Sequence, residues 1–310
     1  MAQVPQHARV APPRLAAWLL LLLLSCIGGT TFLWIEVALS DFGPLWLVAY
    51  RISIAAVVMV VIWQIRGGKL FVQAVSCAAI VTLVSICFLT TILPFLLISW
   101  GQQYVTSGFA GIALASSALI VSPLAHLLVP GERMSIRSTV GLTFGFLGVV
   151  FLISPAWQTG TYGPHFVLGE LACILAAGCY ALSSVLISRL PPVDPVGLTA
   201  ITLTIAGIVV FLAALIFAEP MTRPSIAAMS ALGLLALAST AGSNLLVISL
   251  IRQVGPNFLA ISSFIAPLIA VATGALVLGE TVALSDILGF LLILSGMALG
   301  KYGFRHRDRA

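Results

Sequence analysis

Apolar, almost uncharged stretches recur along the whole chain and are separated by short polar segments that hold most of the charge. Read between those breaks, they fall at about 15–38, 44–64, 74–99, 106–129, 136–154, 166–188, 196–217, 226–250, 256–278 and 285–303. Crossing about 30 Å of hydrocarbon takes roughly 20 residues of α-helix, so the pattern predicts ten membrane-spanning helices. The breaks carry turn chemistry: Asp41-Phe42-Gly43-Pro44, Arg66-Gly67-Gly68-Lys69, Pro130-Gly131-Glu132, Pro191-Pro192-Val193-Asp194-Pro195 and Gly255-Pro256. In lipid an open chain must satisfy its backbone internally, which favours helices. The alternating ten-residue segments of a β-barrel are missing.

Composition agrees with this pattern. Of 310 residues, 61% are hydrophobic and 7% charged, against about 25% charged in soluble domains, which rules out a pair of soluble domains. The net charge of +5 does not point to nucleic acid, because the basic residues lie at the ends of the spans. With a cytoplasmic N-terminus, Arg9, Arg14, Arg66, Lys69, Arg133, Arg137, Arg189, Arg252, Lys301, Arg305, Arg307 and Arg309 fall inside. Arg223 falls outside and Arg51 lies within a span. That separation predicts both termini of a multi-pass protein in the cytoplasm; the expected setting is a bacterial inner membrane. Arg9 and Arg14 before Leu19–Leu24 resemble a signal peptide, but the apolar run continues past Cys26 to Ile35, so it reads as the first transmembrane helix. The five cysteines, Cys26, Cys77, Cys87, Cys173 and Cys179, form no CxxC pair and read as small hydrophobes. No metal or cofactor is expected.

A repeat emerges at an offset of 148 residues. Pro130-Gly131-Glu132 corresponds to Leu278-Gly279-Glu280, Gly141 to Gly289 and Gly148 to Gly296; outside that frame, Gly28-Gly29 aligns loosely with Tyr180-Ala181. Five helices per half would make the halves opposite in topology, an arrangement that places a binding site near the bilayer midplane. The expected organisation is a cytoplasmic tail at 1–14, repeats at 15–154 and 166–303, an external linker at 155–165 and a basic tail at 304–310.

Several segments carry a family likeness: Gly29-Thr30-Thr31-Phe32, Pro44 with Tyr50-Arg51, Tyr104-Val105-Thr106-Ser107, and Leu124-Ala125-His126 with Pro130-Gly131-Glu132-Arg133. Gly141 with Gly148-Val149, Pro267 with Leu278-Gly279-Glu280, and Gly289 with Gly296 complete the set. In order and spacing, over about 15–303, these resemble the EamA-type ten-helix exporters of the drug/metabolite transporter superfamily. Two departures stand out. Gly28 stands where the family often has Trp, and Leu119 replaces a proline whose second-half counterpart, Pro267, is present; Pro123 follows one turn later. The resemblance implies a gradient- or proton-dependent exporter of small metabolites, often amino acids.

Polar residues inside the spans are the candidate site. A charge such as Arg51 at membrane depth costs several kcal/mol without partners. It either meets an anionic substrate group or Glu36, or fixes helix packing. Glu36 and Glu170, near the outer ends of helices 1 and 6, are candidates for proton coupling, with interfacial solvation as the alternative. Glu132 and Glu280 should each stabilise the helix that follows. Thr30, Thr31, Gln103, Tyr104, Ser183, Ser184, Ser239, Ser243, Asn244, Ser262 and Ser263 are the cavity candidates, in a polar set that also holds Gln102 and Thr240, with Trp34, Trp100 and Tyr180 as aromatic walls. Individually they are also suited to hydrogen-bonding neighbouring helices. Gly141-x₃-Gly145 and Gly296-x₃-Gly300 suit close helix packing, within the chain or in a homodimer, although a monomer suffices. His126 reads as an interface histidine.

The expected function is alternating-access export, with helices 1, 3, 4, 6, 8 and 9 lining the cavity, a small-molecule substrate and the bilayer as partners. Lipophilic-cation export is the alternative on the same scaffold. An intramembrane enzyme would need a constellation such as HExxH or paired aspartates, and none is present. A scaffold would not need concentrated polar faces.

Overall fold

The computed structural model describes residues 15–68, 70, 77–128, 136–159, 164–188, 193–220, 223–254, 258 and 261–304. Arg9, Arg14, Lys69, Glu132, Arg133, Arg189 and the 305–310 tail lie outside these residues. The described chain is helical throughout, with no strand. In chain order the helices are α1 (Leu15–Leu39), α2 (Pro44–Ile65), α3 (77–101), α4 (107–128) and α5 (Ile136–Thr159). They continue as α6 (Pro164–Ser188), α7 (Pro195–Phe217), α8 (226–254), α9 (Ser262–Val277) and α10 (Leu284–Phe304).

Seven of these, α1–α4 and α6–α8, are long and apolar enough to cross a membrane, while α5, α9 and α10 contain shorter apolar helices, Ile136–Phe151, Ser262–Val277 and Leu284–Leu299. Many large apolar side chains are exposed on the bundle surface, Val57, Val61, Phe146, Ile216 and Phe217 among them. A surface this greasy is stable only in lipid. The protein is a multi-span membrane protein.

Local chemistry explains the helix ends. Pro44 and Pro195 open α2 and α7, where a missing N–H costs nothing. Side-chain oxygens of Thr106, Asp194 and Ser225 accept from the N–H groups of Phe109, Gly197 and Ala228, capping α4, α7 and α8.

Three helices are interrupted. In α3 a π-helical turn, Phe88–Ile92, separates Cys77–Cys87 from Leu93–Gly101. In α8 a longer π-helical stretch, Leu235–Gly242, separates Ile226–Leu234 from Ser243–Val254. In α4 the break falls at Ser116, between Ser107–Ala115 and Ser117–Leu128, one turn and more before Pro123.

The interior is built from small residues, as membrane helices require for close approach. Ala49, Ala55, Ala200 and Ala206 lie in a core between α2 and α7, and Ala110 and Ala113 lie in another between α4 and its neighbours. A third apolar cluster, including Ile35, Ala38, Leu47, Ile98, Ala228 and Leu232, closes the end of the bundle that carries Asp41. The main pairings are α1 with α9, α6 with α4, α1 with α8, α6 with α3, α2 with α7, and α5 with α10.

The α5–α10 pairing is reciprocal in its glycines. A Cβ on Gly148 would stand 2.7 Å from the Gly289 carbonyl oxygen, and one on Gly296 would collide with the Gly141 carbonyl. Gly141, Gly148, Gly289 and Gly296 therefore pack the chain against itself.

Candidate functional site

Two places gather the polar residues, one at mid-bundle and one at the Asp41 end. The first centres on Arg51 of α2, which is 5% exposed. Its Nε donates to the Thr240 hydroxyl at 2.9 Å, and its guanidinium lies 4.3 Å from the Phe95 ring centroid. Tyr180 of α6 is within electrostatic reach. Among the described residues no carboxylate pairs with Arg51. The expected alternative of an Arg51–Glu36 contact is not found, because Glu36 lies near Glu280 instead.

The π-helical stretch of α8 makes this contact. Thr240 donates to the Leu235 carbonyl five residues back at 2.8 Å, so its oxygen is held in place while accepting from Arg51. The extra residue of a π turn re-aims side chains without ending the helix, and such turns often mark functional sites. On the same helix the Asn244 amide donates to the Thr240 carbonyl and the Ser243 hydroxyl to the Ser239 carbonyl.

Several sequence candidates are satisfied within their own helix. Thr30 and Thr31 donate to the carbonyls of Cys26 and Ile27, and Ser183 and Ser184 both donate to that of Tyr180. Trp34 packs against the cluster that closes the Asp41 end. Ser239 and Ser262 are half-buried and Ser263 is exposed, as is Gln103. Trp100 meets Tyr104 edge-on at 5.1 Å, and Tyr104 stacks on His165 at 5.4 Å, away from Arg51 at the Asp41 end. A recess of ≈ 430 Å³ between α2 and α7 is lined by Ser53, Gly207, Ile208, Phe211 and Leu212, and by none of the residues expected from sequence.

The second gathering is acidic. Glu280 does not stabilise the helix that follows it. Its carboxylate accepts from the N–H groups of Ser107 at 2.7 Å and Gly108 at 3.1 Å, at the start of α4. Asp286 takes the nearer role, accepting from Ala283 at 3.0 Å at the head of α10. Glu36 and Glu170 each keep a buried carboxyl oxygen without a hydrogen-bond partner, as do the Gln102 amide oxygen and the Ser107 hydroxyl. The Gln102 amide nitrogen donates to the Phe32 carbonyl of α1 at 3.0 Å.

Sequence reasoning missed Phe95 and Asp286 as site residues. Phe95 is one of 16 phenylalanines, and nothing local distinguishes it. Asp286, at the polar start of an apolar run, carried a signal that could have been used.

With this geometry in place, comparison with known proteins is decisive. Residues 15–154 and 167–300 each match the model of the EamA-like transporter family. The chain belongs to that family. Among curated proteins, this EamA-like transporter is 24% identical to the uncharacterized transporter YoaV of Bacillus subtilis, over 91% of this chain and 95% of that one. It is 27% identical to the uncharacterized inner membrane transporter YedA of Escherichia coli K12, over 90% and 89%. A WAT1-related chloroplastic protein of Arabidopsis thaliana is 25% identical over 88% of this chain and 66% of its own. A solved crystal structure covers 95% of this chain and 100% of its own with a TM-score of 0.64 at 18% identity, a likeness in fold alone.

Proposed function

We propose that this EamA-like transporter exports amino acids or similar small carboxylate-bearing metabolites by alternating access, with Arg51 as the anchor for the substrate carboxylate. The observation that carries this reading is the environment of Arg51: buried, with the neutral Thr240 and Phe95 in contact, Tyr180 in electrostatic reach and no carboxylate paired with it among the described residues. A desolvated guanidinium without a counter-charge attracts an anion strongly, and its planar fork matches a carboxylate. Tyr180 on one side and Ser239, Ser243 and Asn244 on the other would supply hydrogen bonds for the rest of a zwitterion.

The proposed motion is rocking of one five-helix half against the other, with α1, α3, α4, α6, α8 and α9 lining the path. Ten spans in two inverted halves, 15–154 and 166–303, underlie it. The pairings support this organisation, since α1 with α9 mirrors α6 with α4, and α1 with α8 mirrors α6 with α3. The double family match and the π turns in both α3 and α8 support it as well. The expected setting is the inner membrane with both termini cytoplasmic, and reporter fusions at residue 310 check it; a periplasmic C-terminus would defeat the ten-span topology.

Reconstitution into liposomes tests the function. Saturable flux of labelled amino acids, lost in Arg51→Ala and partly kept in Arg51→Lys, supports the reading. Flux of lipophilic cations alone, indifferent to Arg51, overturns it in favour of drug export.

A further inference from the structure

At the Asp41 end, four carboxyl groups lie within electrostatic reach of one another in the order Glu36, Glu280, Asp286 and Glu170. The inner two are tethered at helix N-termini: Glu280 by the amides of Ser107 and Gly108, Asp286 by that of Ala283. The outer two, Glu36 and Glu170, make no hydrogen bond or ion pair with any described residue. Glu170 is 2% exposed, and one carboxyl oxygen of each is buried without a partner. A tethered carboxylate is a fixed anion whose charge is stabilised by backbone dipoles. An untethered acid next to it, out of water, has no such support.

We propose that Glu36 and Glu170 are two proton-binding sites, each completed by its tethered neighbour, so that the chain carries one exchangeable proton on the α1 and one on the α6 side of the α4 N-terminus. Two carboxyl groups sharing a desolvated site hold one proton between them. The unpartnered oxygens agree with this: on α1 the Gln102 amide is fixed to the Phe32 carbonyl, one turn before Glu36. Phe32 and Glu36 lie one turn apart on the same face of α1, the face that Gln102 meets.

Among the described residues no cation pairs with either glutamate. Over the stretches packed against α1, Ile226–Leu250 of α8 and Ser262–Val277 of α9 contain no titratable side chain, and α3 and α4 offer Gln102, Thr106 and Ser107 at this level. The basic residue of α2, Arg51, faces Phe95 and Thr240. Around Glu170 the neighbours are Cys173 one turn on, Asp286, and His165 near the start of α6, the last stacked on Tyr104. At the two tethered acids, a cavity of ≈ 10 Å³ lined by Thr106, Gly108, Glu280, Thr281 and Asp286 among others has room for about one water. Binding forms an O–H bond on the free glutamate, and release returns that proton to water, with no other bond made or broken.

Proton binding is a property of the protein alone; its use to drive export rests on the transport reading above. Infrared titration of the purified full chain in detergent, following the protonated-carboxyl C=O band, tests the binding. The expected result is a wild-type band that persists above about pH 6, where solvated carboxyls are ionised, loses about half its amplitude in Glu36→Gln or Glu170→Gln and vanishes there in the double variant, with Glu219→Gln unchanged. A wild type without a band in that range, or a double variant that keeps it, overturns the proposal. In liposomes that show substrate flux, the double variant should retain downhill flux but lose its response to a pH gradient. A response that survives removes the coupling role. Absence of flux in the wild type defeats the transport reading and leaves the titration to be judged separately.

Discussion

Arg51 and Thr240, 189 residues apart, meet at 2.9 Å through a hydroxyl that donates in turn to its own helix. Valine at position 240 keeps the shape and removes the acceptor. Leaving a buried charged donor short of a partner costs about 1–3 kcal/mol or more, so Thr240→Val should lower the thermal midpoint in detergent. Thr240→Ser should stay near the wild type.

The Glu280 carboxylate joins the end of α9 to the start of α4. Glu280→Ala removes the acceptor from two buried amides in the first turn of α4, a loss of about 0.5–2 kcal/mol by analogy with N-caps. Hydrogen exchange should speed up at Ser107 and Gly108, while the amide of Phe109, which Thr106 holds, stays protected.

The α5–α10 crossing leaves no room for side chains at its glycines. Gly148→Leu and Gly296→Leu should each cost about 1–3 kcal/mol through overpacking, read as lost thermal stability and expression. Gly233 of α8 is the counter-case. A Cβ there meets nothing within 4 Å, and Gly233→Ala should stabilise the helix by roughly 0.5–1 kcal/mol.

Asp41, in the α1–α2 connection, accepts from the Ser225 amide at 2.8 Å. Hydrogen bonds from Ser225 hold its carboxyl below the ordinary aspartate range. A carboxyl lowered on folding contributes stability above its unfolded value, and that contribution is lost as pH falls through the folded one. Protection of the Ser225 amide should therefore persist at neutral pH and fade below about pH 4. In Asp41→Asn it should be weaker at neutral pH and nearly independent of acid.

Helix positions were legible because burial in lipid demands long apolar runs. Spans expected at 15–38, 44–64 and 196–217 correspond to Leu15–Leu39, Pro44–Ile65 and Pro195–Phe217. The π turns were not legible, since one extra residue leaves mean hydropathy unchanged and alters only which face a side chain joins. That is why Arg51 and Thr240 could each be singled out as polar residues within spans, while their contact, and Phe95 beside it, could not. Glu280 was expected to serve the adjacent helix; its actual partners lie about 170 residues away, a distance no local pattern encodes. Conversely, Thr30, Thr31, Ser183 and Ser184 looked like a lining in sequence, yet their hydroxyls turn back onto their own backbones.

The seam between α5 and α10 reads the same from either helix: Gly148 abuts Gly289 as Gly296 abuts Gly141. Self-matching surfaces of this kind are what twofold dimers bury, and here one polypeptide supplies both faces. Cut between α5 and α6, the two fragments would each carry half of a ready-made clasp, and their reunion would need no surface that the intact molecule does not already use.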